Sequence, residues 1–318
     1  MPALAIVIVS WNVRDLLRRC LAALADSLAL SEVTARIVVV DNASSDGTPA
    51  MLRAEFPQVE LIEPGANLGF AAGNNVALEY LGLGLHAVAG APDYVLLLNP
   101  DTEVVGRAVG RLVAELQTHP DLVAVGPRLR YGDGSLQSSR RHFPTRMTLV
   151  WESTPLERLW PDNPWVRAYR CANQFEARVQ AVDWLVGAAL LVRGTAIRAA
   201  GLFDERFFMY SEELEWQSRL HRGGQIAYVP DAEIIHYEGK SSEQVLAHRH
   251  IWFQQSKIRL AQCWFGWRYA YWLRLLLCLG YLYEMSVEGL KYVLGHRRTL
   301  RRQRIAVYRQ VWVALWHR

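Results

Sequence analysis

Short, nearly continuous apolar runs punctuate the first 125 residues of the chain. Residues 5–10, 36–40, 59–62, 94–98 and 122–125 are mostly β-branched or otherwise apolar, with Ser10, Arg36 and Glu60 the exceptions. Runs this short predict strands buried on both faces of an open sheet. Amphipathic stretches lie between them. One predicted helix covers residues 13–28, with Asn12 as its cap and Asp15 in the favourable first turn. A second starts at Asp46 or Thr48 and reaches about Phe56. A third follows the turn Asn67-Leu68-Gly69-Phe70 and runs through Leu81, and a fourth spans 104–118. Strand–helix alternation with short connections predicts a parallel, right-handed α/β sheet.

The pattern weakens over residues 128–181. Tyr131-Gly132-Asp133-Gly134 is a hairpin-type turn, and the prolines, tryptophans and arginines that follow predict a loop-rich insertion. Order returns at 182–192. A helix is expected over 212–222, ended by Gly223-Gly224, then a last strand at 226–229 before His236. Beyond His248 the character changes. Residues 251–265 are helical in pattern, and 269–294 are aromatic and apolar but carry Arg274, Glu284, Glu288 and Lys291. Their longest uncharged run, 275–283, falls well short of the roughly 18–20 residues of a spanning helix. The expected organisation is therefore an α/β domain over 1–247, in halves 1–127 and 128–247, with a helical appendage at 248–318.

Charge sharpens this division. Residues 248–318 hold 13 Lys+Arg and 2 Asp+Glu, leaving 22 and 29 of the chain's 35 and 31 for the rest. A mildly acidic body thus carries a strongly basic, aromatic tail. Arg297, Arg298, Arg301, Arg302 and Arg304 beside Tyr308, Trp312 and Trp316 suit an interfacial helix on an anionic membrane surface. The alternative is an ordinary amphipathic appendage packed on the body. Four cysteines without metal-type spacing predict isolated thiols of a reducing compartment. The apolar run at 3–9 lacks a preceding basic segment and reads as a strand, not a leader.

Candidate chemistry gathers at strand ends. Ser10 and Asn12 follow the first strand, Asp41 through Thr48 the second, Asn67 the third, and Asn99-Pro100-Asp101 the fourth. In a parallel sheet these ends share one edge, which is where such sheets bind ligands. A dinucleotide is not expected, because no Gly-x-Gly-x-x-Gly follows the first strand, and no Walker-type loop occurs. Glu212-Glu213, adjacent carboxylates at a helix start beside Phe207, Phe208 and Tyr210, have the setting of a general base with a raised pKa.

These segments carry a resemblance. Ser10-Trp11-Asn12, Val40-Asp41-Asn42-Ala43-Ser44-Ser45-Asp46-Gly47-Thr48, Asn67-Leu68-Gly69-Phe70 and Leu98-Asn99-Pro100-Asp101-Thr102-Glu103 resemble the inverting family 2 glycosyltransferases. The rhamnosyltransferase-like subgroup of bacterial cell-surface polysaccharide synthesis is the most similar. Val182-Asp183-Trp184-Leu185-Val186-Gly187 resembles the family's acceptor-side segment, Gly201 through Glu213 its catalytic stretch, and His236-Tyr237-Glu238-Gly239-Lys240-Ser241 its closing histidine motif. The resemblance covers about residues 4–242 and leaves the tail out.

It implies a GT-A-type nucleotide-diphospho-sugar transferase fold with a mostly parallel central sheet. The implied activity is inverting transfer from a UDP- or dTDP-sugar, dTDP-rhamnose among them, to a saccharide or polyprenyl-linked acceptor. It further implies a divalent cation, Mg²⁺ or Mn²⁺, on Asp101 and His236, with neutral Asn99 where the family's first acid stands. Asp41 is implied to accept the N3–H of a pyrimidine, with Ser10, Asn12, Asn67 and Asn99 also on the donor side. Glu213, with Glu212, is implied as the base. Asp183, Trp184, Gly187, Glu215 and Arg219 are implied on the acceptor side. The expected location is cytoplasmic, peripheral on the inner leaflet. No nucleic-acid partner is expected, although the tail's aromatics could also stack on bases. A nucleotidyltransferase making the nucleotide sugar, or a non-catalytic nucleotide- or nucleic-acid-binding protein with a degenerate site, are the alternatives.

Overall fold

The computed structural model describes residues 3–84, 90–152, 154–174, 176–237 and 246–316. The chain forms two compact units. The first comprises Met1–Phe143, Arg170–Phe208 and Glu212–Ser241, and the second Pro144–Tyr169, Met209–Ser211 and Ser242–Arg318.

The first unit opens with β1 (Leu4–Ser10), α1 (Arg14–Ser31), β2 (Ala35–Asp41), α2 (Thr48–Glu55), β3 (Glu60–Ile62), α3 (Gly69–Tyr80) and β4 (Tyr94–Leu98). Each long strand has two apolar faces. Ile6, Ile8, Leu96 and Leu98 join a core with Leu17, Leu21 and Leu24 of α1. Ala5, Val7, Val95 and Leu97 join another with Ala77 and Leu78 of α3. A period of two with both faces covered is what produces the continuous apolar runs.

Next come β5 (Thr102–Val105), α4 (Ala108–Thr118), β6 (Leu122–Arg130), β7 (Leu136–Gln137) and β8 (Arg140–Arg141). The chain then leaves for the second unit through α5 (Arg146–Trp151), α6 (Leu156–Leu159) and α7 (Pro164–Tyr169). It returns with β9 (Gln180–Val182), β10 (Trp184–Leu185), β11 (Ala189–Arg193), α8 (Gly194–Ala200), α9 (Glu212–Leu220) and β12 (Gln225–His236). The main sheet runs β3-β2-β1-β4-β11-β6-β12-β5, with β7 on β6 and β9 on β12. Strands β3, β2, β1, β4, β6 and β12 share one direction, and β11 inserts antiparallel between β4 and β6. The sheet is mostly parallel, as expected, but mixed.

Three local expectations change. The helix expected over 104–118 is two elements: Thr102–Val105 pairs antiparallel with β12, and Gly106 (φ 55°) turns the chain into α4. The last strand does not stop at 229. It passes a bulge between Val229 and Glu233 and continues to His236, because β6 and β5 offer it partners on both sides. Asn12 does not cap α1. It sits left-handed (φ 52°), and Asp46 Oδ2 accepts the Arg14 N–H instead, at 2.8 Å. Asp46 Oδ1 also accepts from Thr48 N and Oγ1, so one carboxylate caps two helices.

The second unit closes with α10 (Leu246–Phe265), α11 (Trp267–Val293) and α12 (Arg298–Trp316). Their shared core holds Ile258 and Ala261 of α10, Leu273 and Leu277 of α11, Val311 and Leu315 of α12, and Leu149 of α5.

Candidate active site

Four side chains converge where β4, β12 and β7 end. Asp101 lies one turn beyond β4 and His236 at the last residue of β12, both buried. The register His236↔Thr102 sets them beside each other, with His236 Nε2 3.4 Å from Asp101 Oδ1 and the Tyr237 N–H donated to the Asp101 carbonyl at 2.9 Å. Gln137 Oε1 accepts from His236 Nδ1 at 3.0 Å. A carboxamide oxygen only accepts, so Nδ1 carries a proton in this arrangement and Nε2 is the ring nitrogen turned toward the corner. That nitrogen faces the Asp101 carboxylate and, at 3.5 Å, Asn99 Nδ2. An imidazole nitrogen beside a carboxylate in a buried corner is a residue pair able to ligate a divalent cation. Among the described residues no group of three or more His, Cys, Asp or Glu is placed to hold a metal.

The Asn99-Pro100-Asp101 turn is braced from behind. Thr102 Oγ1 donates to the Asn99 carbonyl at 2.7 Å, and the Cys20 thiol lies 3.5 Å from that hydroxyl. Burial pushes this thiol up to about 12, so it packs and is not a nucleophile. All four cysteines are free.

The neighbouring strand ends form a second group. Asp41 is buried at the end of β2; its Oδ2 accepts the Ser44 N–H at 2.9 Å, and its Oδ1 has no partner. Burial raises its pKa above the usual aspartate value. Ser10 Oγ and Asn42 Oδ1, both buried, also lack partners. Unmatched buried acceptors on one sheet edge leave hydrogen-bonding capacity for a ligand. Asn12 is instead occupied in loop geometry, with its Oδ1 accepting the Ser45 N–H at 2.7 Å. Asn67 Oδ1 accepts the Gly69 N–H at 3.0 Å, fixing the turn into α3. Gly69 is needed there: at φ 81°, an added Cβ would lie 2.3 Å from the Phe208 carbonyl.

The third group rides on α9, which the chain enters through two left-handed residues, Tyr210 (φ 70°) and Ser211 (φ 64°). Glu212 is buried and Glu213 half-buried, and one carboxylate oxygen of each is buried without a partner. Burial, then the charge of Glu213, pushes Glu212 well above the ordinary glutamate range, and burial raises Glu213 as well. Gly187 makes room for Glu213: an added Cβ would stand 3.2 Å from its Cβ and Cγ. The next residue, Ala188, accepts the Asn99 N–H at 2.9 Å. Gly187-Ala188 therefore links Glu213 to the Asn99–Asp101–His236 corner.

Not every expected residue joins. Glu215 and Arg219 pair at 2.9 Å, and Arg219 also donates to the Leu202 carbonyl. At 100° per residue they lie away from the Glu213 face of the helix and tie α9 to the turn after α8. Asp183 Oδ2 accepts the Phe143 N–H at 2.7 Å and lies 3.3 Å from His142 Nδ1. Trp184 is buried and donates its indole N–H to the His142 carbonyl. Gln137 was not expected at all, since a two-residue strand after a hairpin turn leaves no sequence signal. Glu238 to Ser241 lie outside the described residues.

Comparison with known proteins adds to this geometry. The glycosyl transferase family 2 model matches residues 5–173. An N-acetylglucosaminyl-diphospho-decaprenol L-rhamnosyltransferase of Mycobacterium tuberculosis is 35% identical over 269 residues, which is 83% of this chain and 86% of the relative. Rhamnosyltransferase WbbL of Escherichia coli K12 is 24% identical over 272 residues, 80% of this chain and 90% of that protein. The mannosyltransferase PcManGT of Pyrobaculum calidifontis, solved with GDP-Man and Mn²⁺, superposes with a TM-score of 0.54 at 14% identity, covering 99% of this chain and 86% of that one. GalNAc-T7, solved with UDP, GalNAc and Mn²⁺, gives 0.57 at 14%, covering 91% and 51%. At such identity the likeness is one of fold, and the fold is the expected GT-A architecture with a C-terminal helical region.

Proposed function

Since the chain belongs to glycosyl transferase family 2, and so transfers a glycosyl group from a nucleotide sugar, we propose that it moves a rhamnosyl residue from a dTDP- or UDP-sugar to a hydroxyl of a polyprenyl-diphosphate-linked saccharide. The rhamnosyltransferase relatives support the sugar, and the decaprenol-linked substrate in one relative's name supports the acceptor. Family membership leaves no place for the nucleotidyltransferase alternative. We place the enzyme peripherally on the cytoplasmic leaflet, where such an acceptor would be presented; no described helix is long and apolar enough to cross a membrane.

The observation that carries the reading is the Glu213 carboxylate, one oxygen of which is buried without a partner, joined through Gly187-Ala188 to the Asp101–His236 corner. Glu213 takes the proton of the acceptor hydroxyl as its oxygen attacks the anomeric carbon. The bond from that carbon to the diphosphate oxygen breaks on the opposite face, so configuration inverts. Burial raises both carboxyls and Glu212 the more, its rise added to by the charge of Glu213, so Glu213 is the first of the pair to ionise. Asp41 Oδ1 accepts the pyrimidine N3–H, which uracil and thymine both carry. Asp101 and His236 Nε2 would hold a divalent cation, Mg²⁺ or Mn²⁺, whose contribution when bound is to neutralise charge on the leaving diphosphate.

The test is incubation of the full chain with dTDP-rhamnose or UDP-sugars and an N-acetylglucosaminyl-diphospho-polyprenol. Disaccharide should form with release of nucleoside diphosphate. Glu213→Gln should lower the rate by about 10²–10⁴ while calorimetric binding of dTDP stays unchanged. A variant turning over at the wild-type rate would remove Glu213 from the mechanism.

A further inference from the structure

We propose that the outward face of α11, with the arginines around it, is a docking surface for an anionic phospholipid bilayer. The inference rests on the reading of the acceptor as lipid-linked, and names the surface that meets the lipid.

Helix α11 has 27 residues and is about 40 Å long. Its inner face, with Ala270, Leu273, Leu277 and Cys278, is consumed by the core it shares with α10 and α12. The other face is apolar too. Trp272, Leu279, Tyr283 and Leu290 follow one another at spacings of 7, 4 and 7, which places them on a single helix face. They are 48%, 63%, 58% and 62% exposed. Tyr271 and Leu282 widen the stripe, also exposed. A helix with one face in its own unit's core cannot be surrounded by lipid, but a stripe of this kind can enter the headgroup and acyl boundary.

Charge selects the occupant. Segment 248–318 has only two acidic residues, Glu284 and Glu288. Both sit on α11, and both are turned away from the stripe. The Glu288 carboxylate is 3% exposed and lies within reach of Lys291, Arg301 and Arg304. The Glu284 side chain is 12% exposed and pairs with Arg158 at 2.7 Å. Exposed cations flank both ends of the stripe. Arg268 is exposed and stacks over Trp267 at 5.5 Å, near the start of α11. Arg298, exposed, stacks over Tyr292 at 5.7 Å near its end, with Arg302 exposed beyond. Amphipathic rings beside exposed cations match the headgroup region of an anionic lipid surface. A second copy of this face would bring like charges together.

Flotation of the full chain with phosphatidylcholine vesicles, with or without phosphatidylglycerol, tests the proposal. Binding should be about tenfold or more tighter to the anionic vesicles, and should weaken with salt. Leu279→Ser, Tyr283→Ser and Leu290→Ser together should cut binding about tenfold or more. Arg268→Gln, Arg298→Gln and Arg302→Gln together should abolish the preference for phosphatidylglycerol. The second set changes exposed cations only, so it still decides the matter if the first set lowers the melting temperature. Equal binding to neutral vesicles, no binding, or wild-type binding by both variants overturns the proposal. So does a dimer in light scattering that the apolar variant dissociates. Turnover of a water-soluble acceptor by the wild-type chain reads the transferase assignment separately.

Discussion

Two adjacent carboxylates sharing a poorly hydrated corner cannot both ionise cheaply. Glu212, the more buried of the two, is raised well above 4.5 in the fold by burial and then by the charge of Glu213. For a carboxyl raised on folding, the contribution to stability is full below the unfolded value. It is lost as pH rises through the folded value. Glu212→Gln should therefore leave the melting temperature near wild type at pH 4 and raise it above wild type at pH 8. A difference that does not change with pH would contradict this account. The Gln137–His236 contact makes another residue-scale prediction. If Gln137 fixes the proton on Nδ1, Gln137→Ala should weaken Mn²⁺ binding in the presence of dTDP about 10–100-fold. Paramagnetic resonance of free Mn²⁺ reads this without turnover, and unchanged affinity would reduce the contact to packing. The two differ in how far they could be read in advance. Glu212-Glu213 stood out as a pair because two acids follow an aromatic run, but Gln137 depends on a contact across 99 positions of sequence.

Elements carry the site through register. His236 meets Asp101 because β12 runs on past its bulge and β5 pairs with it, His236 against Thr102. An apolar stretch at 104–118 has helical periodicity, and only the free backbone edge of β12 makes its beginning a strand. The strands that the pattern did predict are those whose identity is local: β4 spans Tyr94–Leu98 as expected, since five buried apolar residues bounded by Asp93 and Asn99-Pro100 need no distant information. The start of β11 supplies a further test. Gly187→Ala would press a methyl to 3.2 Å from the Glu213 side chain. It should lower kcat about tenfold or more, as expected when a reacting group is displaced by a fraction of an ångström, with dTDP binding intact by calorimetry. An unaffected kcat would mean that Glu213 does not lie against Gly187 during catalysis.

At the scale of the whole molecule, ligand binding and folding are linked. A nucleotide at 100 times its Kd stabilises the native chain by about 2.7 kcal/mol. UDP and dTDP should both raise the melting temperature through Asp41, whereas CDP, whose N3 has no proton, should not. Equal shifts with CDP would take Asp41 out of base recognition. The charge division belongs to this scale too, and it was legible from counting: a tail of 13 cationic and 2 acidic residues on a body with more acids than bases. The sequence by itself determined the α/β class, the strands that bury both faces, the polar strand ends at one edge, and the basic, aromatic helical tail. All of these follow from local periodicity, turn chemistry and composition. Only the tertiary structure decided that β11 runs antiparallel between β4 and β6, that Asp46 and not Asn12 caps α1, that Arg219 turns away from Glu213, and that Glu284 and Glu288 are folded inward. Each of these depends on which distant backbone edge or charged partner is near. Strand pairing and ion pairing are satisfied in space, and residues far apart along the chain carry no mark of who their partners will be.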